Sequence, residues 1–299
     1  NGIETLQRIK ALRAHLPVIM ITKSEEEHIM EEAIGSKISD YLIKPVNPNQ
    51  ILLAVKKCLD GKRLLNEKVM SDYQMEFREL GMKMMGKMDV SDWYEVYGRL
   101  THWTLELEKS EDDSMQEVLS MQFEDANRQF GKFVENNYES WIRAGDESGT
   151  SDIPILSHRV LPNLLPKAIS SANGRQVFLV VIDNLRLDQW RAIEPLLSDM
   201  FSVVSDEKYM SILPTATQYA RNSLFAGMLP SEIKRLHPEW WISEDEEGSK
   251  NKFEDKLLDE LLKRLSIDGK TSYHKVANLA AGRKLLDQFH ETKGESLTT

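Results

Sequence analysis

The 299-residue sequence has one cysteine, Cys58, and no long uninterrupted apolar run. A single thiol excludes an intramolecular disulfide framework and a cysteine-based zinc finger, and it favours a cytoplasmic location. A membrane-spanning helix needs about 20 mostly apolar residues, so we expect no membrane association. With 41% hydrophobic and 29% charged residues, the composition predicts a globular protein of two or three domains.

Positive charge is also scarce. The chain has 38 Lys and Arg residues against 48 Asp and Glu residues, a formal net charge of −10. Residues 61–165 contain 12 basic and 20 acidic residues, so this segment alone has a net charge of −8. Duplex DNA binding requires clustered basic side chains that displace counterions from phosphates. We therefore expect no duplex DNA binding.

The first 60 residues alternate short strands and helices, which predicts parallel strand pairing. The predicted elements are a buried strand over 17–22, a helix that a capping box at 24–27 opens and that runs towards Gly35, a strand over 40–45, and a helix capped by Asn47. The apolar face predicted for that last helix contains Ile51, Leu52, Val55 and Leu59.

Residues 61–145 have apolar side chains at three-to-four spacing and predict helices over 66–85, 91–109 and 113–143. Three long amphipathic helices of this kind predict a three-helix bundle. The segment contains no polar cluster with site chemistry, so we expect it to supply contact surface and no metal ligand, His102 included. A polar linker over 144–152 follows.

From residue 153 the strand and helix alternation resumes. Val177–Asp183 predicts a strand buried on both faces, with a second strand over 201–204 and helices over 188–200, 217–226 and 253–265. Ligands in parallel sheets bind at the carboxyl ends of strands, where Asp183 lies, and a carboxylate there suits a divalent metal.

Thr217 follows a turn at Pro214 and begins a helix, where the helix dipole favours a developing alkoxide. The alternative is that Thr217 only caps the helix. Arg221, one turn later, is a candidate contact for a substrate phosphate or a member of a surface salt bridge. We expect Asp183 and Thr217 oxygens within about 8 Å of each other, because neighbouring parallel strands end side by side.

The remaining candidate ligands are less specific. His237 and His274 are lone histidines for which structural roles are the expectation. Asp287 and His290 are three residues apart on a predicted helix, which indicates surface positions.

The segments Asn1–Leu6, Met20–Ser24 and Asp40–Pro45 resemble the second half of a response-regulator receiver domain, which has a flavodoxin-like fold. The resemblance implies that Thr22 is the switch hydroxyl and Lys44 the phosphate-contacting lysine. It also implies magnesium in the full-length receiver and a sensor histidine kinase as partner. The phospho-accepting aspartate would precede Asn1 and is not in this chain. Lys44–Pro45 is a candidate cis peptide.

The segment Val181–Trp190 resembles the opening of a PglZ domain of the alkaline-phosphatase superfamily, in which a strand-end Asp is a metal ligand. In that superfamily the second Thr of a Pro-Thr-x-Thr turn, here Pro214–Thr217, is the nucleophile. A receiver, a helical bundle and a PglZ domain in this order resemble PorX-type response regulators. The implied fold is multidomain α/β plus all-α: a partial receiver (1–60), a three-helix bundle (61–150) and a partial alkaline-phosphatase-like domain (151–299).

The resemblance implies a zinc-dependent phosphodiesterase that acts on cyclic or short oligonucleotides and regulates type IX secretion, with Asp183 and Thr217 as zinc ligands. It further implies a homodimer on phosphorylation and a sigma factor or other regulatory protein as partner. Family members complete two metal sites with downstream Asp and His residues, so we expect this chain to be truncated at both ends and inactive. The alternative is a non-catalytic regulator that binds a protein partner through a vestigial PglZ domain.

Overall fold

The computed structural model describes residues 2–13, 16–23, 38–109, 113–144, 152–243 and 245–299. The helix predicted to follow Ser24 and most of the predicted linker lie outside these residues. The chain divides into two compact units, Asn1–Lys83 with Trp103–Gln122, and Met84–His102 with Phe123–Thr299.

The described residues form helices and short strands in an order that agrees with a mixed α/β multidomain protein. The α-helices are α1 (Gly2–Leu12), α2 (Pro48–Met85), α3 (Val90–Glu108), α4 (Asp113–Arg143), α5 (Ser157–Ala172), α6 (Leu187–Leu197), α7 (Thr217–Ala226), α8 (Pro230–Leu236), α9 (Glu254–Arg264) and α10 (Leu279–Gln288). The strands are β1 (Ile19–Thr22), β2 (Asp40–Ile43), β3 (Val177–Phe178), β4 (Thr271–Ser272) and β5 (Leu297–Thr298). Short 3-10 turns follow α8 and α10, at Pro238–Trp240 and Phe289–Thr292. No helix in the described part of the chain is long and apolar enough to cross a membrane.

In the first unit, β1 and β2 pair in parallel, with Thr22 opposite Ile43. Parallel pairing was the prediction, and it is confirmed. The prediction that the first strand is buried was wrong in degree, because its residues are half-buried and Ile21 is 39% exposed. Apolar content predicts that a segment prefers burial, but it does not show what covers each face.

Helix α2 begins as predicted, since the side chain of Asn47 accepts a hydrogen bond from the backbone N–H of Asn49 at 2.9 Å. The prediction of a separate helix over 66–85 was wrong, because α2 continues through Gly61 without a break to Met85. A glycine inside a helix costs only about 1 kcal/mol, which good helix formers on both sides can offset. The residues of the predicted apolar face are exposed in the structure, Leu52 by 66% and Leu59 by 61%.

Within the first unit, Tyr73 is the point at which three long helices meet. Its ring lies 5.2 Å from the Trp103 ring, and its hydroxyl donates to Gln122 Oε1 at 3.2 Å. The amide of Gln122 donates in turn to the carbonyl of Phe77 at 3.1 Å. Burial raises the pKa of Tyr73 to about 12, so the phenol stays protonated and keeps this bond at neutral pH.

The second unit has a leucine-rich core in which α5 and α9 pack on α7. Each buried Leu or Phe side chain stabilises the fold by roughly 1.5–3 kcal/mol, so these contacts fix α7 firmly. The start of α7, where Thr217 lies, is therefore held by the core. The core residues are Leu161, Leu165, Leu224, Phe225, Ala226, Met228, Ile233, Leu257, Leu258, Leu261, Leu262 and Leu297.

The sheet of the second unit is parallel, with β5 between β3 and β4. The predicted strand over 177–183 is correct only for its first two residues, and Val180 and Ile182 are 75% and 59% exposed. Apolar, β-branched residues favour an extended backbone, but a strand also needs a partner along its length. Here the partner β5 has two residues, and the ladder ends where the N–H of Leu179 donates to Thr298 at 2.9 Å.

The predicted strand over 201–204 is wrong, since the structure assigns no strand there. Val204 is 96% exposed. The nearest pairing is an isolated parallel bridge between Leu156 and Met210. The predicted helices of this region are confirmed as α6, α7 and α9, with ends within three residues of the prediction.

Candidate functional site

Asp183 lies in a turn between β3 and α6, at the end of an extended segment. The next residue, Asn184, has a φ of 61°, a left-handed conformation that Asn adopts more readily than most residues. The Asp183 side chain is 55% exposed. The prediction that Asp183 lies at the carboxyl end of a strand was wrong, because β3 ends at Phe178 and a loop holds Asp183.

Thr217 is the first residue of α7 and is exposed. The N-cap position belongs to Ala216, which has no side-chain acceptor. The alternative that the Thr217 hydroxyl is the helix cap therefore has no support in the geometry. The preceding turn contains a cis Leu213–Pro214 peptide, and Lys44–Pro45 in the first unit is cis as predicted.

Arg221 connects Asp183 to the buried part of the site. Its Nη1 donates to Asp183 Oδ2 at 2.7 Å, and its Nε donates to Glu254 Oε1. The Arg221 side chain is 19% exposed, so the salt-bridge alternative is what the structure shows, in a half-buried setting. The helix periodicity places Arg221 one turn after Thr217, on the same face of α7.

Glu254, which no sequence pattern indicated, is the centre of this cluster. Its side chain is 2% exposed, and its Oε2 accepts from the Tyr273 hydroxyl at 2.9 Å and from Lys275 Nζ at 2.8 Å. Burial and the neighbouring Glu254 charge raise the pKa of Tyr273, so the phenol remains a donor. A glutamate in the first turn of an amphipathic helix gives no sequence signal of such a role.

A second set of buried amides joins the cluster to Thr217. Asn251 Nδ2 donates to the Thr217 carbonyl at 3.1 Å and to Asn222 Oδ1 at 2.8 Å. Lys275 Nζ also donates to the Asn251 carbonyl at 2.8 Å. The start of α7 and the Glu254 cluster thus form one hydrogen-bonded network. The separation of the Asp183 and Thr217 side-chain oxygens stays a prediction.

These charged groups line a cleft of about 630 Å³. The residues on its wall that can donate, accept or titrate are Asp183, Arg221, Glu254, Tyr273, His274, Lys275, Thr298 and Thr299. A larger cavity of about 840 Å³ shares Val180 and Ile182 with this cleft and is lined mostly by aromatic and aliphatic side chains. Site chemistry needs convergent polar groups, so the smaller cleft is the candidate site.

Metal ligands are incomplete in this region. Among the described residues, no group of three His, Cys, Asp or Glu side chains is placed to hold a metal ion. A catalytic zinc site has three protein ligands and an open position, so Asp183 with Thr217 does not make one. In the cleft, Asp183 instead pairs with Arg221.

The other predicted residues have local partners of their own. Lys44 donates its backbone N–H to the Thr22 carbonyl at 2.7 Å, so the two receiver residues are neighbours at the ends of β1 and β2. His237 stacks on Trp240 with ring centroids 4.2 Å apart, and His274 contacts Ser272 Oγ at 3.1 Å. Asp287 and His290 are exposed, as predicted.

Comparison with known protein families matches three consecutive parts of the chain. A response regulator receiver domain matches residues 1–56, and a PorX response regulator linker domain matches residues 63–142. A BREX system PglZ alkaline phosphatase-like domain matches residues 163–294, which include Asp183, Thr217, Arg221 and Glu254.

Among related proteins, the transcriptional regulatory protein ZraR of Klebsiella oxytoca is 32% identical over 81 residues, which are 27% of this chain and 18% of that protein. The response regulator SaeR of Staphylococcus aureus (strain USA300) is 25% identical over 136 residues, 42% of this chain and 59% of SaeR. The chain thus spans less than two thirds of each relative, and these matches support the class alone.

The three matched domains define a response regulator with an alkaline-phosphatase-like output domain. More specifically, the chain belongs to the PorX-type response regulators, which have the receiver, the PorX linker and the PglZ domain in this arrangement. A receiver domain implies a sensor kinase as partner in general.

Proposed function

We propose that this protein is a cytoplasmic response regulator whose output domain is a zinc-dependent phosphodiesterase acting on cyclic or short oligonucleotides, in the regulation of type IX secretion. The observation that supports the proposal is a hydrogen-bonded network in the PglZ-matched region: Asp183 and Arg221 bond to each other on the wall of one cleft, and Asn251 bonds to the backbone carbonyl of Thr217. A sensor histidine kinase would phosphorylate the receiver, with magnesium at its phosphorylation site. A homodimer formed on phosphorylation and contact with a sigma factor or other regulatory protein belong to the same proposal.

In the proposed reaction Thr217 is the nucleophile. Its hydroxyl oxygen bonds to phosphorus as the bond from phosphorus to the leaving oxygen breaks, and the proton lost by Thr217 is balanced by the proton that the leaving oxygen takes up from solvent. Water then attacks the same phosphorus, the bond to the Thr217 oxygen breaks, the phosphate monoester leaves, and the hydroxyl regains a proton. The first N–H groups of a helix have no partner within the helix, so the start of α7 favours the negative phosphate. Arg221, four residues later on the same helix, is the proposed contact for this phosphate.

Zinc belongs to the proposal with Asp183 and Thr217 among its ligands, and the described residues do not complete that site. The test therefore uses protein expressed from the complete gene. We expect Thr217→Ala to reduce hydrolysis of bis(4-nitrophenyl) phosphate to the rate without enzyme. Bound zinc is measured by atomic absorption on the same samples. It should fall less in Thr217→Ala than in Asp183→Ala. Thr217 is exposed and outside the cap position, so its removal should change the free energy of unfolding by no more than about 0.5 kcal/mol.

Thr215→Ala is the matched control, because Thr215 is an exposed threonine of the same turn. It should keep wild-type hydrolysis and zinc content. Asp183→Ala should lower both, because it removes a proposed ligand. Equal hydrolysis rates for wild type and Thr217→Ala at equal zinc content would remove Thr217 from the mechanism.

The second candidate function is a non-catalytic regulator that binds a protein partner. The observation in its favour is that the described residues hold no group of three metal-binding side chains. It predicts that the complete gene product contains no stoichiometric zinc and does not hydrolyse the diester. Zinc measurement on that protein separates the two candidates before any mutation is made.

A further inference from the structure

Glu254 is a buried negative charge with three donors around it. It accepts from Arg221, Tyr273 and Lys275, and its side chain is 2% exposed. Removing a carboxylate from water costs several kcal/mol unless good partners compensate. Two of the three donors are cations, so Glu254 fixes both in place.

Two cations share the carboxylate of Glu254. Glu254 contributes one negative charge, whereas Arg221 and Lys275 contribute two positive charges. Asp183 also pairs with Arg221, so the four groups together are formally neutral. The excess of positive charge is local to the buried side of the cleft, because Asp183 is 55% exposed and pairs with Arg221 from the edge.

Both cations keep hydrogen-bond donors for a further ligand. Lys275 Nζ has three N–H groups, and among the described residues two acceptors take them, Asn251 O and Glu254 Oε2. Arg221 has five N–H groups, of which Nε and one on Nη1 are engaged in the described part of the chain. Lys275 is 44% exposed, so an anion in the cleft can reach it.

We propose that Glu254 is a positioning residue that holds Arg221 and Lys275 as a paired cationic site for the non-bridging oxygens of a phosphodiester. Glu254 itself does not touch the substrate. The inference rests on the proposed function for the substrate class, and it adds Lys275 as the second phosphate contact and Glu254 as the residue that fixes both contacts.

The alternative is that Glu254 only stabilises the fold. The two roles predict opposite results for Glu254→Gln. If charge alone matters, removing a negative charge beside the anion site should strengthen phosphate binding. If Glu254 positions the cations, Glu254→Gln should weaken binding, because Arg221 and Lys275 lose their common anchor and must be ordered by the ligand.

The test measures the dissociation constant of inorganic phosphate by NMR chemical-shift titration of the protein, without added metal. Lys275→Met should weaken binding about 10-fold, since a hydrogen bond to a charged group contributes roughly 1.5 kcal/mol or more. The matched control is Lys270→Met. Lys270 is also an exposed lysine that pairs with a buried glutamate, Glu295, at 3.5 Å, but it does not line the cleft. The control should change the dissociation constant less than twofold.

Glu254→Gln should weaken phosphate binding about 5-fold or more by the same titration. Unchanged or tighter binding in folded Glu254→Gln overturns the positioning role. If circular dichroism shows that Glu254→Gln does not fold, Lys275→Met against Lys270→Met decides: equal dissociation constants overturn the paired site.

A second arm identifies the source of the anion. Bis(4-nitrophenyl) phosphate should compete with inorganic phosphate for the same shifted resonances, and absence of competition would mean that the site takes free phosphate and not a diester. All arms measure binding, so they can succeed where the hydrolysis test of Thr217 fails, and the two proposals are separated.

Discussion

At the scale of single residues, His158 is a buried titratable group. It is 8% exposed in α5, and its Nδ1 has no hydrogen-bond partner among the described residues. Burial, followed by the charge of Arg159, lowers the pKa of His158 from 6.5 to about 4, while Glu232 opposes this shift. The folded protein therefore keeps His158 neutral at pH values where the unfolded chain protonates it.

The sign of the resulting pH dependence follows from linkage. Above pH 6.5 neither state protonates His158, so its contribution to stability is fully present. Between pH 6.5 and 4 the unfolded state binds the proton first, and the free energy of unfolding falls by about 3 kcal/mol from this group. Urea unfolding at pH 7 and at pH 4.5 measures this decrease in the free energy of unfolding. We expect the decrease to be smaller in His158→Gln, which has no imidazole to protonate. The exposed His290→Gln is the control and should show the same decrease as the wild type. Parallel pH profiles for wild type and His158→Gln would contradict the burial argument.

The Asp183–Arg221–Glu254 chain belongs to the same scale. Asp183 and Arg221 are each recognisable as candidates from their local sequence alone. Arg221 donates hydrogen bonds to the carboxylates of Asp183 and Glu254, which are 38 and 33 positions away in the chain. No local pattern predicts partners at such distances.

At the scale of elements, the end of α7 depends on Gly227. It has a φ of +57°, and a Cβ built there would lie 2.7 Å from a methyl carbon of Leu261 and 3.0 Å from Pro162. Gly227 therefore serves both the left-handed C-cap and the close approach of α7 to α9 and α5.

We expect Gly227→Ala to lower the free energy of unfolding by about 2–4 kcal/mol, the sum of a left-handed alanine and an overpacked core. Gly174→Ala is the matched control, because Gly174 has a φ of +78° with nothing within 4 Å of an added Cβ. It should lose only about 1–2 kcal/mol. Chemical denaturation followed by circular dichroism measures both; equal losses would show that the contact with Leu261 relaxes freely.

Elements also show where pattern reasoning failed. The Asn47 cap and the three long helices were predictable, because capping and helical periodicity act within a few residues. The 201–204 strand and the full length of the 177–183 strand were not, because pairing depends on a second segment remote in the sequence.

At the scale of the whole molecule, charge limits the choice of partners. The net charge is −10, and residues 61–165 account for −8 of it. We expect no duplex DNA binding, although ZraR is named a transcriptional regulatory protein.

Fluorescence anisotropy of a labelled 30-base-pair duplex, with up to about 10 µM protein in 50 mM salt, measures this. Non-specific binding is strongest at low salt, so the condition favours detection. The control is the double variant Glu124→Gln and Glu135→Gln, which removes two exposed negative charges. We expect it not to bind the duplex either, because such a small change in net charge creates no basic surface. A salt-dependent rise in anisotropy for the wild type would show that a basic surface exists despite the net charge.

The sequence by itself determined the domain order, the acidic character of residues 61–165 and the position of Thr217 at the start of α7, because residue type, periodicity and turn chemistry act over short distances. The tertiary structure alone decided that Glu254, Tyr273 and Lys275 join Arg221 in one cleft. The reason is physical: a buried carboxylate is stable only where packing brings its donors together, and that packing is set by the leucine core of α5, α7 and α9 and by no local pattern around Glu254.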